Sequence, residues 1–177
     1  MSDMMRKISS GLESAFAEHG FAEPSVEDLR DAAGVSLRTL YKYTPSRAEM
    51  VLAALENRHQ RYLARILDDL PRDRGAALNT ILTRIGQWME TEAAHGCLFH
   101  AAVAADPTSA PLRALLERHK AEVATRAAEA TGLDEIEGTK ITLLLIIEGL
   151  TQTWPLHGAK ALVTAKHLAQ SLRSTST

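Results

Sequence analysis

Two short helical patterns separated by a glycine constrain the fold of this chain more than any other feature of its sequence. Ser25 and Ser36 each precede one pattern, where a side-chain oxygen can accept an unpaired backbone N–H of the first helical turn. Asp28 follows Ser25 by three residues, as in a capping box. Gly34 lies between the patterns, where a tight turn favours positive φ. This spacing predicts two short helices that cross steeply, a helix-turn-helix.

The rest of the sequence also favours helices. The chain has 177 residues and is 45% hydrophobic, which is enough for the core of one domain or two small ones. The six prolines and ten glycines fall mostly between periodic runs, and no segment shows the alternation of a β-strand. We therefore predict an all-α fold.

A wider set of residues keeps a fixed spacing around the turn. It comprises Gly20, Phe21, Ser25, Val26, Leu29, Ala33 to Ser36, Thr39 to Tyr41 and Pro45 to Arg47. This order resembles the amino-terminal DNA-binding domain of the TetR family of bacterial transcriptional regulators. Two positions depart from the family pattern: Arg30 stands where a small residue is usual, and Thr44 where phenylalanine is usual. We expect both to alter slightly how the recognition helix packs.

The resemblance implies a recognition helix at Leu37–Tyr43, whose first residues meet base edges in the major groove. Arg38 can donate two hydrogen bonds to a guanine, whereas Leu37 offers only apolar contact, for instance to a thymine methyl. For Tyr41, a core position and a DNA contact both stay open. The phosphate contacts that the resemblance implies are at Ser25, Thr39, Tyr43 and Arg47. The full set of predicted DNA-binding residues is Ser25, Ser36, Leu37, Arg38, Thr39, Tyr41, Lys42, Tyr43 and Arg47.

The charge count does not by itself indicate nucleic-acid binding. The net charge is −2, and residues 1–60 contain seven Lys or Arg against nine Asp or Glu. DNA binding therefore depends on where the cations lie rather than on their number. Because of this acidic count, a ligand-binding or interaction module that has the same fold and does not bind DNA is the alternative function.

The remaining periodic segments predict a second helical region. The predicted helices are residues 4–19, 47 to about 70, about 76 to 94, 108–131, 136–154 and 159–172, with Pro155 and Gly158 forming a turn between the last two. The resemblance implies a DNA-binding domain at residues 1–46 and a ligand-binding and dimerisation domain at residues 47–177. The last two helices can form a four-helix interface with a second copy of the chain. The alternative is that they are the core of a monomer.

The sequence offers little for catalysis or metal binding. It has no glycine-rich nucleotide loop, nucleophile elbow or paired catalytic acids, so we expect no enzyme and no cofactor. The seven histidines show no metal-ligand spacing. A single cysteine, Cys97, excludes an internal disulfide and suits a reducing cytoplasm. It can be a redox sensor or a buried inert thiol. We expect no signal peptide, no membrane association and a cytoplasmic location.

A small-molecule pocket is predicted in the second region, because large apolar side chains occur there with a few polar ones. The candidate lining residues are Trp88, Met89, Cys97, Phe99, His119, Thr151 and Trp154. The sequence thus favours a ligand-responsive repressor that binds a palindromic DNA operator as a homodimer and is released by a small-molecule inducer. The inducer is not identified by the sequence.

Overall fold

A computed structural model describes residues 2–133 and 138–174 of the chain. Within these residues it contains nine helices and no strands, which confirms the all-α prediction. They are α1 (Asp3–His19), α2 (Val26–Ala33), α3 (Leu37–Tyr43), α4 (Arg47–Leu67), α5 (Arg74–Thr91), α6 (Leu98–Ala105), α7 (Ala110–Thr131), α8 (Thr139–His157) and α9 (Ala159–Ser174).

The chain divides into two compact units, with boundaries inside α4 and inside α7. The first unit holds the described residues up to Tyr62 together with Leu98–Glu117, and the second holds Leu63–Cys97 and the described residues from Arg118 onward. The functional division at residues 46 and 47 is a different kind of boundary, and it stays a prediction.

The core of the first unit is formed by the apolar faces of its helices. Its fully buried large side chains are Ile8, Leu12, Phe16, Leu29, Leu40, Met50 and Leu55. Phe21, in the loop after α1, stacks on Phe16 with 5.0 Å between ring centroids. Because these side chains come from α1 to α4, the short helices α2 and α3 are held by burial as well as by their own backbone bonds.

The core of the second unit lies where α5, α8 and α9 pack on one another. Ile81, Leu82 and Ile85 of α5 are buried there, as are Leu143, Ile147 and Leu150 of α8. Among the α9 side chains that the structure describes, only the small ones of Ala161, Ala165 and Ala169 are buried, so this helix can approach its neighbours closely.

The carboxyl end of α4 is fixed by an arginine of α5. Arg84 Nη1 donates hydrogen bonds to the Ile66 and Asp68 carbonyls, and its Nη2 donates to the Asp69 carbonyl. Asp69 has a positive φ of 51°, which turns the chain out of the helix. The helix therefore ends at Leu67 instead of continuing to about residue 70 as predicted.

Two other elements differ from the sequence prediction. The segment after Cys97 forms a separate helix, α6, that was not predicted from the sequence. A short apolar run does not by itself distinguish a buried helix from a buried strand. Pro155 lies inside the last turn of α8 rather than in a turn after it. The helix continues because the Gly158 N–H closes the turn on the Trp154 carbonyl, at 2.8 Å. The predicted start of this helix at Ile136 lies outside the described residues.

No helix in the described ranges combines the length and the apolar character that crossing a membrane requires.

Candidate nucleic-acid interface

The start of α2 has the predicted capping box. Ser25 Oγ accepts the Asp28 N–H at 3.2 Å, and Asp28 Oδ2 accepts both the Ser25 N–H at 2.8 Å and the Ser25 hydroxyl at 2.6 Å. Gly34 ends the helix in the left-handed conformation, with φ 62° and ψ 40°. Lys7 of α1 donates from Nζ to the Gly34 carbonyl at 2.7 Å. Both ends of α2 are therefore fixed by side chains.

The start of α3 is capped in the same way. Ser36 Oγ accepts the Thr39 N–H at 3.1 Å and lies 2.9 Å from Thr39 Oγ1. At the other end, the buried Thr44 donates its hydroxyl to the Leu40 carbonyl at 2.9 Å. Thr44 thus occupies a position where phenylalanine is usual without leaving a buried hydroxyl unpaired. The helix spans Leu37–Tyr43, as the sequence predicts.

The outer face of α3 presents cations and hydroxyls. Arg38 and Lys42 are exposed, while Leu37, Thr39 and Tyr43 are half-buried and Leu40 is fully buried. Lys42 Nζ lies 5.7 Å from the centre of the Tyr43 ring. Tyr41 is 44% exposed, so it lies at the surface rather than in the core. Residues Leu37–Tyr43 contain no acidic side chain, and the face is therefore suited to the acceptors of a nucleic acid.

Several of the nine acidic residues in positions 1–60 have partners of their own. Asp28 accepts the bonds of the α2 cap, and Asp31 accepts from Arg30 Nη2 at 2.7 Å. Glu13 is buried and paired with Arg58 and Arg61 of α4. The acidic count of residues 1–60 thus does not translate into acidic groups on α3 itself.

Arg47 has a structural role that the sequence did not indicate. Its Nη2 donates to the Phe21 carbonyl at 2.8 Å, and its guanidinium lies 5.8 Å from the centre of the Phe16 ring. It therefore links the start of α4 to the end of α1 and the loop that follows. A phosphate contact by Arg47 stays a prediction, as do those by Ser25, Thr39 and Tyr43.

The predicted pocket residues are mainly core residues. Trp88, Met89, Phe99, His119 and Thr151 are buried, and Cys97 and Trp154 are half-buried. Phe99 belongs to the first unit and the other six to the second. None of the seven lines either of two grooves in the described residues, one between α1 and α2 and one between α8 and α9. Their role in ligand binding stays a prediction. Within the described ranges, no three His, Cys, Asp or Glu side chains are placed to hold a metal ion.

Three residues of α1 that support this region were not identified from the sequence. Gly11 allows α1 to approach the backbone of α2, Lys7 caps α2, and Glu13 pairs with α4. Of these three, only Gly11 could have been recognised from the sequence. A glycine inside a helix is unfavourable by about 1 kcal/mol relative to alanine, so its presence there indicates a close contact with a neighbouring element.

The α2 cap makes a prediction about pH. The hydrogen bonds from the Ser25 hydroxyl and backbone N–H lower the pKa of the Asp28 carboxyl below its ordinary value. The ionised carboxylate therefore stabilises the fold above the ordinary pKa of an aspartate, about 3.9, and this contribution is lost as the pH falls through the lower folded-state value. Replacing Ser25 with alanine is expected to raise the Asp28 pKa, measured from its carboxyl carbon shift by NMR.

The same serine-to-alanine change at Ser46 is the matched control. Ser46 caps α4 by accepting the Glu49 N–H at 3.2 Å. The hydrogen bonds described for Asp28 do not involve Ser46. The Asp28 titration is expected to be unchanged in Ser46→Ala. An Asp28 pKa that stays the same in Ser25→Ala would contradict the assigned cause.

Comparison with known proteins agrees with this geometry. Residues 10–54 match the model of the tetR family of bacterial regulatory proteins. No curated protein matches the sequence significantly. Among solved structures, a TetR-family transcriptional regulator from Streptomyces coelicolor is 19% identical, with a TM-score of 0.80 over 99% of this chain and 98% of its own. A TetR transcription regulator from Haloarcula marismortui is 20% identical, with the same TM-score and the same coverage of both chains. A transcriptional regulator from Rhodococcus is 21% identical, with a TM-score of 0.78 over 96% of each chain.

The matched residues include the capped helices, the Gly34 turn and the exposed cations described above. The structural neighbours extend the likeness of fold over nearly the whole chain. Residues 10–54 of this chain are therefore similar to the tetR family of bacterial regulatory proteins, and the chain as a whole has the fold of TetR-family transcriptional regulators.

Proposed function

We propose that this protein is a repressor that binds a palindromic DNA operator as a homodimer and is released from it by a small-molecule inducer. The observation that carries the proposal is the outer face of α3, where exposed Arg38 and Lys42 stand on a capped helix without an acidic neighbour in the same helix. Two copies of such a helix fit successive major grooves when the half-sites lie about 34–36 Å apart.

Selection of bound sequences from random duplex DNA tests the proposal. Enrichment of a palindrome is expected, with an affinity that falls steeply as salt is raised because phosphate contacts release counterions. Failure to enrich any sequence would contradict the proposal and favour the alternative of a ligand-binding or interaction module that does not bind DNA.

Arg38 is the residue that we propose for base recognition. Replacing it with alanine removes a two-pronged donor to guanine, and each such contact contributes about 1–3 kcal/mol of discrimination. We expect Arg38→Ala to weaken binding to the selected operator by about fivefold to 150-fold for each half-site at fixed salt. Fluorescence anisotropy should also show relaxed preference at one base pair of each half-site.

The matched control is Arg65→Ala, the same substitution at an exposed arginine near the end of α4. It removes the same charge from the chain without changing α3, so operator affinity is expected to change by less than about twofold. Equal affinities of wild type and Arg38→Ala would exclude a role for Arg38 in base recognition.

A surface formed by α8 and α9 supports the proposed homodimer. Five of the seven large apolar side chains exposed in the described residues lie on these two helices: Ile141, Leu145, Leu156, Val163 and Leu168. Between the helices runs a groove of about 750 Å³, which we call the α8–α9 groove, lined by residues that include Leu145, Gly149 and Leu168. Exposed apolar surface of this kind is typical of protein–protein interfaces. We propose a second copy of the chain as its partner.

The proposed inducer acts by binding more tightly to a state of the dimer that binds DNA weakly. The loss of DNA affinity then equals the difference in its binding free energy between the two states. The seven residues from Trp88 to Trp154 named above are the proposed ligand contacts. A small-molecule library can be screened for compounds that release the selected operator, and Trp154→Ala is expected to reduce the response to any compound found.

A further inference from the structure

Glu13 is a buried carboxylate whose partners lie far away in the sequence. It is 2% exposed and accepts hydrogen bonds from three side chains of α4: Asn57 Nδ2 at 2.7 Å, Arg58 Nη1 at 3.1 Å and Arg61 Nη1 at 2.6 Å. The three donors lie within about one turn of α4. A buried carboxylate with this many charged and amide donors fixes the geometry of the groups around it. Glu13 therefore holds α1 against α4 at a defined position.

The opposite side of α1 is fixed to α2. Gly11 precedes Glu13 by two residues, which places it about 200° around the helix. A Cβ at Gly11 would lie 2.6 Å from Ala33 Cα and closer still to the Ala32 carbonyl oxygen, so the two helices touch through their backbones. Lys7, one turn earlier on the same side, donates to the Gly34 carbonyl just before α3. Helix α1 thus contacts α4 with one side and α2 with the other.

We propose that α1 is the element through which α4 positions the recognition helix, and that Glu13 is the positioning residue that locks α1 to α4. This inference rests on the proposed binding of a palindrome by a homodimer. Without the Glu13 bonds, the contacts of Gly11 and Lys7 still hold α1 to α2, and the shared apolar core and the bond of Arg47 to the Phe21 carbonyl still connect α1 with α4. What is lost is the charged anchor that fixes the position of α1 along α4. Each recognition helix can then bind a half-site, but the two copies are no longer held in register for both half-sites at once.

The test compares binding of Glu13→Gln to the selected palindrome and to a duplex that carries a single half-site. Glutamine keeps the shape of the side chain but removes its charge, and with it the ion pairs that Glu13 makes with Arg58 and Arg61. We expect affinity for the full palindrome to fall by about tenfold or more, because simultaneous binding of two linked sites depends on their geometry. Affinity for the single half-site is expected to stay within about twofold of wild type.

Glu18→Gln is the matched control, since Glu18 is an exposed glutamate on the same helix. It is expected to leave both affinities unchanged. Arg61→Gln is the second variant, because Arg61 is partly exposed and its loss leaves the Arg58–Glu13 pair in place. It is expected to show the same selective loss to a smaller extent, and it decides the question if Glu13→Gln does not fold.

The outcomes separate this inference from the proposed function. Equal losses of full-site and half-site affinity would show that Glu13 only stabilises the domain, and no loss at all would show that it is not needed for positioning; either result overturns the inference. If the wild-type protein selects no palindrome, the proposed function itself is wrong and the inference falls with it.

Discussion

Replacing Gly11 with alanine is expected to destabilise the DNA-binding domain and to weaken sequence-specific DNA binding. The added Cβ would lie 2.6 Å from Ala33 Cα and 2.7 Å from the Ala32 carbonyl carbon, which are backbone atoms and cannot rotate away. An added methyl group in a close contact lowers the free energy of unfolding by about 1–3 kcal/mol. Because the neighbouring atoms are backbone atoms, we expect a loss near the upper end of this range, about 3 kcal/mol. Alanine regains about 1 kcal/mol of helix propensity. The expected net loss is roughly 2 kcal/mol in the free energy of unfolding.

Urea unfolding and operator binding by anisotropy measure the two parts of this effect. The same substitution at Gly86 is the control, because a Cβ there would meet Leu162 Cδ2 at 2.8 Å. Leu162 is half-buried, so the end of its side chain can rotate away from the added methyl. Gly86→Ala is expected to change stability by less than about 1 kcal/mol and to leave DNA affinity unchanged. Similar losses in both variants would show that the close approach of α1 and α2 is unimportant.

Replacing Leu145 with glutamate is expected to convert the proposed dimer to a monomer. Leu145 is 66% exposed within one chain and lines the α8–α9 groove. Burial of a leucine in an interface contributes about 1.5–3 kcal/mol, and a two-fold axis applies the change twice. A glutamate at this position does not make this apolar contribution, and the cost of removing its charge from water further opposes formation of the dimer. Sedimentation should show a mass of 19.3 kDa for the variant and twice that for wild type.

DNA binding gives a second measure of the same change. A monomer contacts one half-site at a time, so affinity for the selected palindrome is expected to fall by about 10²-fold to 10⁴-fold. Helical content by circular dichroism should be unchanged, because glutamate is a good helix former at an exposed position. Met4→Glu, an exposed apolar residue of α1, is the control and is expected to leave the mass unchanged. A variant of Leu145 that sediments as a dimer would exclude this surface as the interface.

The local features of the DNA-binding domain could be predicted because their signals act over three or four residues. Ser25, Ser36 and Gly34 specify the ends of α2 and α3 through bonds to their own first and last turns. Ser36 marks the start of α3, and the helix spans Leu37–Tyr43 as the resemblance implied. The two departures from the family pattern, Arg30 and Thr44, also form local hydrogen bonds. Arg30 donates to the adjacent Asp31 carboxylate, and Thr44 donates to the Leu40 carbonyl four residues earlier.

Interactions between distant segments could not be predicted in this way. Glu13 is separated from Asn57, Arg58 and Arg61 by more than forty residues, and nothing in its neighbourhood shows that it is buried. Arg47 was expected at a phosphate, but the partner found for it is a backbone carbonyl of the loop after α1. Such pairs depend on the packing of helices, which one sequence specifies but its short-range pattern does not reveal.

The residues proposed for the ligand site also could not be assigned a role from the sequence. Composition identified side chains such as Trp88 and His119 that are buried in the second unit. Burial is what both a packed core and a ligand cavity require of such residues, so apolar character alone does not distinguish the two. An open groove among the described residues of this unit lies instead between α8 and α9.

The arginine that caps α4 has a mechanical consequence. Helix α4 can gain residues beyond Leu67 only if the Arg84 guanidinium first releases the Ile66, Asp68 and Asp69 carbonyls together and Asp69 leaves its left-handed conformation. Elongation of the helix is therefore opposed by several bonds at once. A shift at the carboxyl end of α4 is thus not readily absorbed by winding residues 68–70 into the helix.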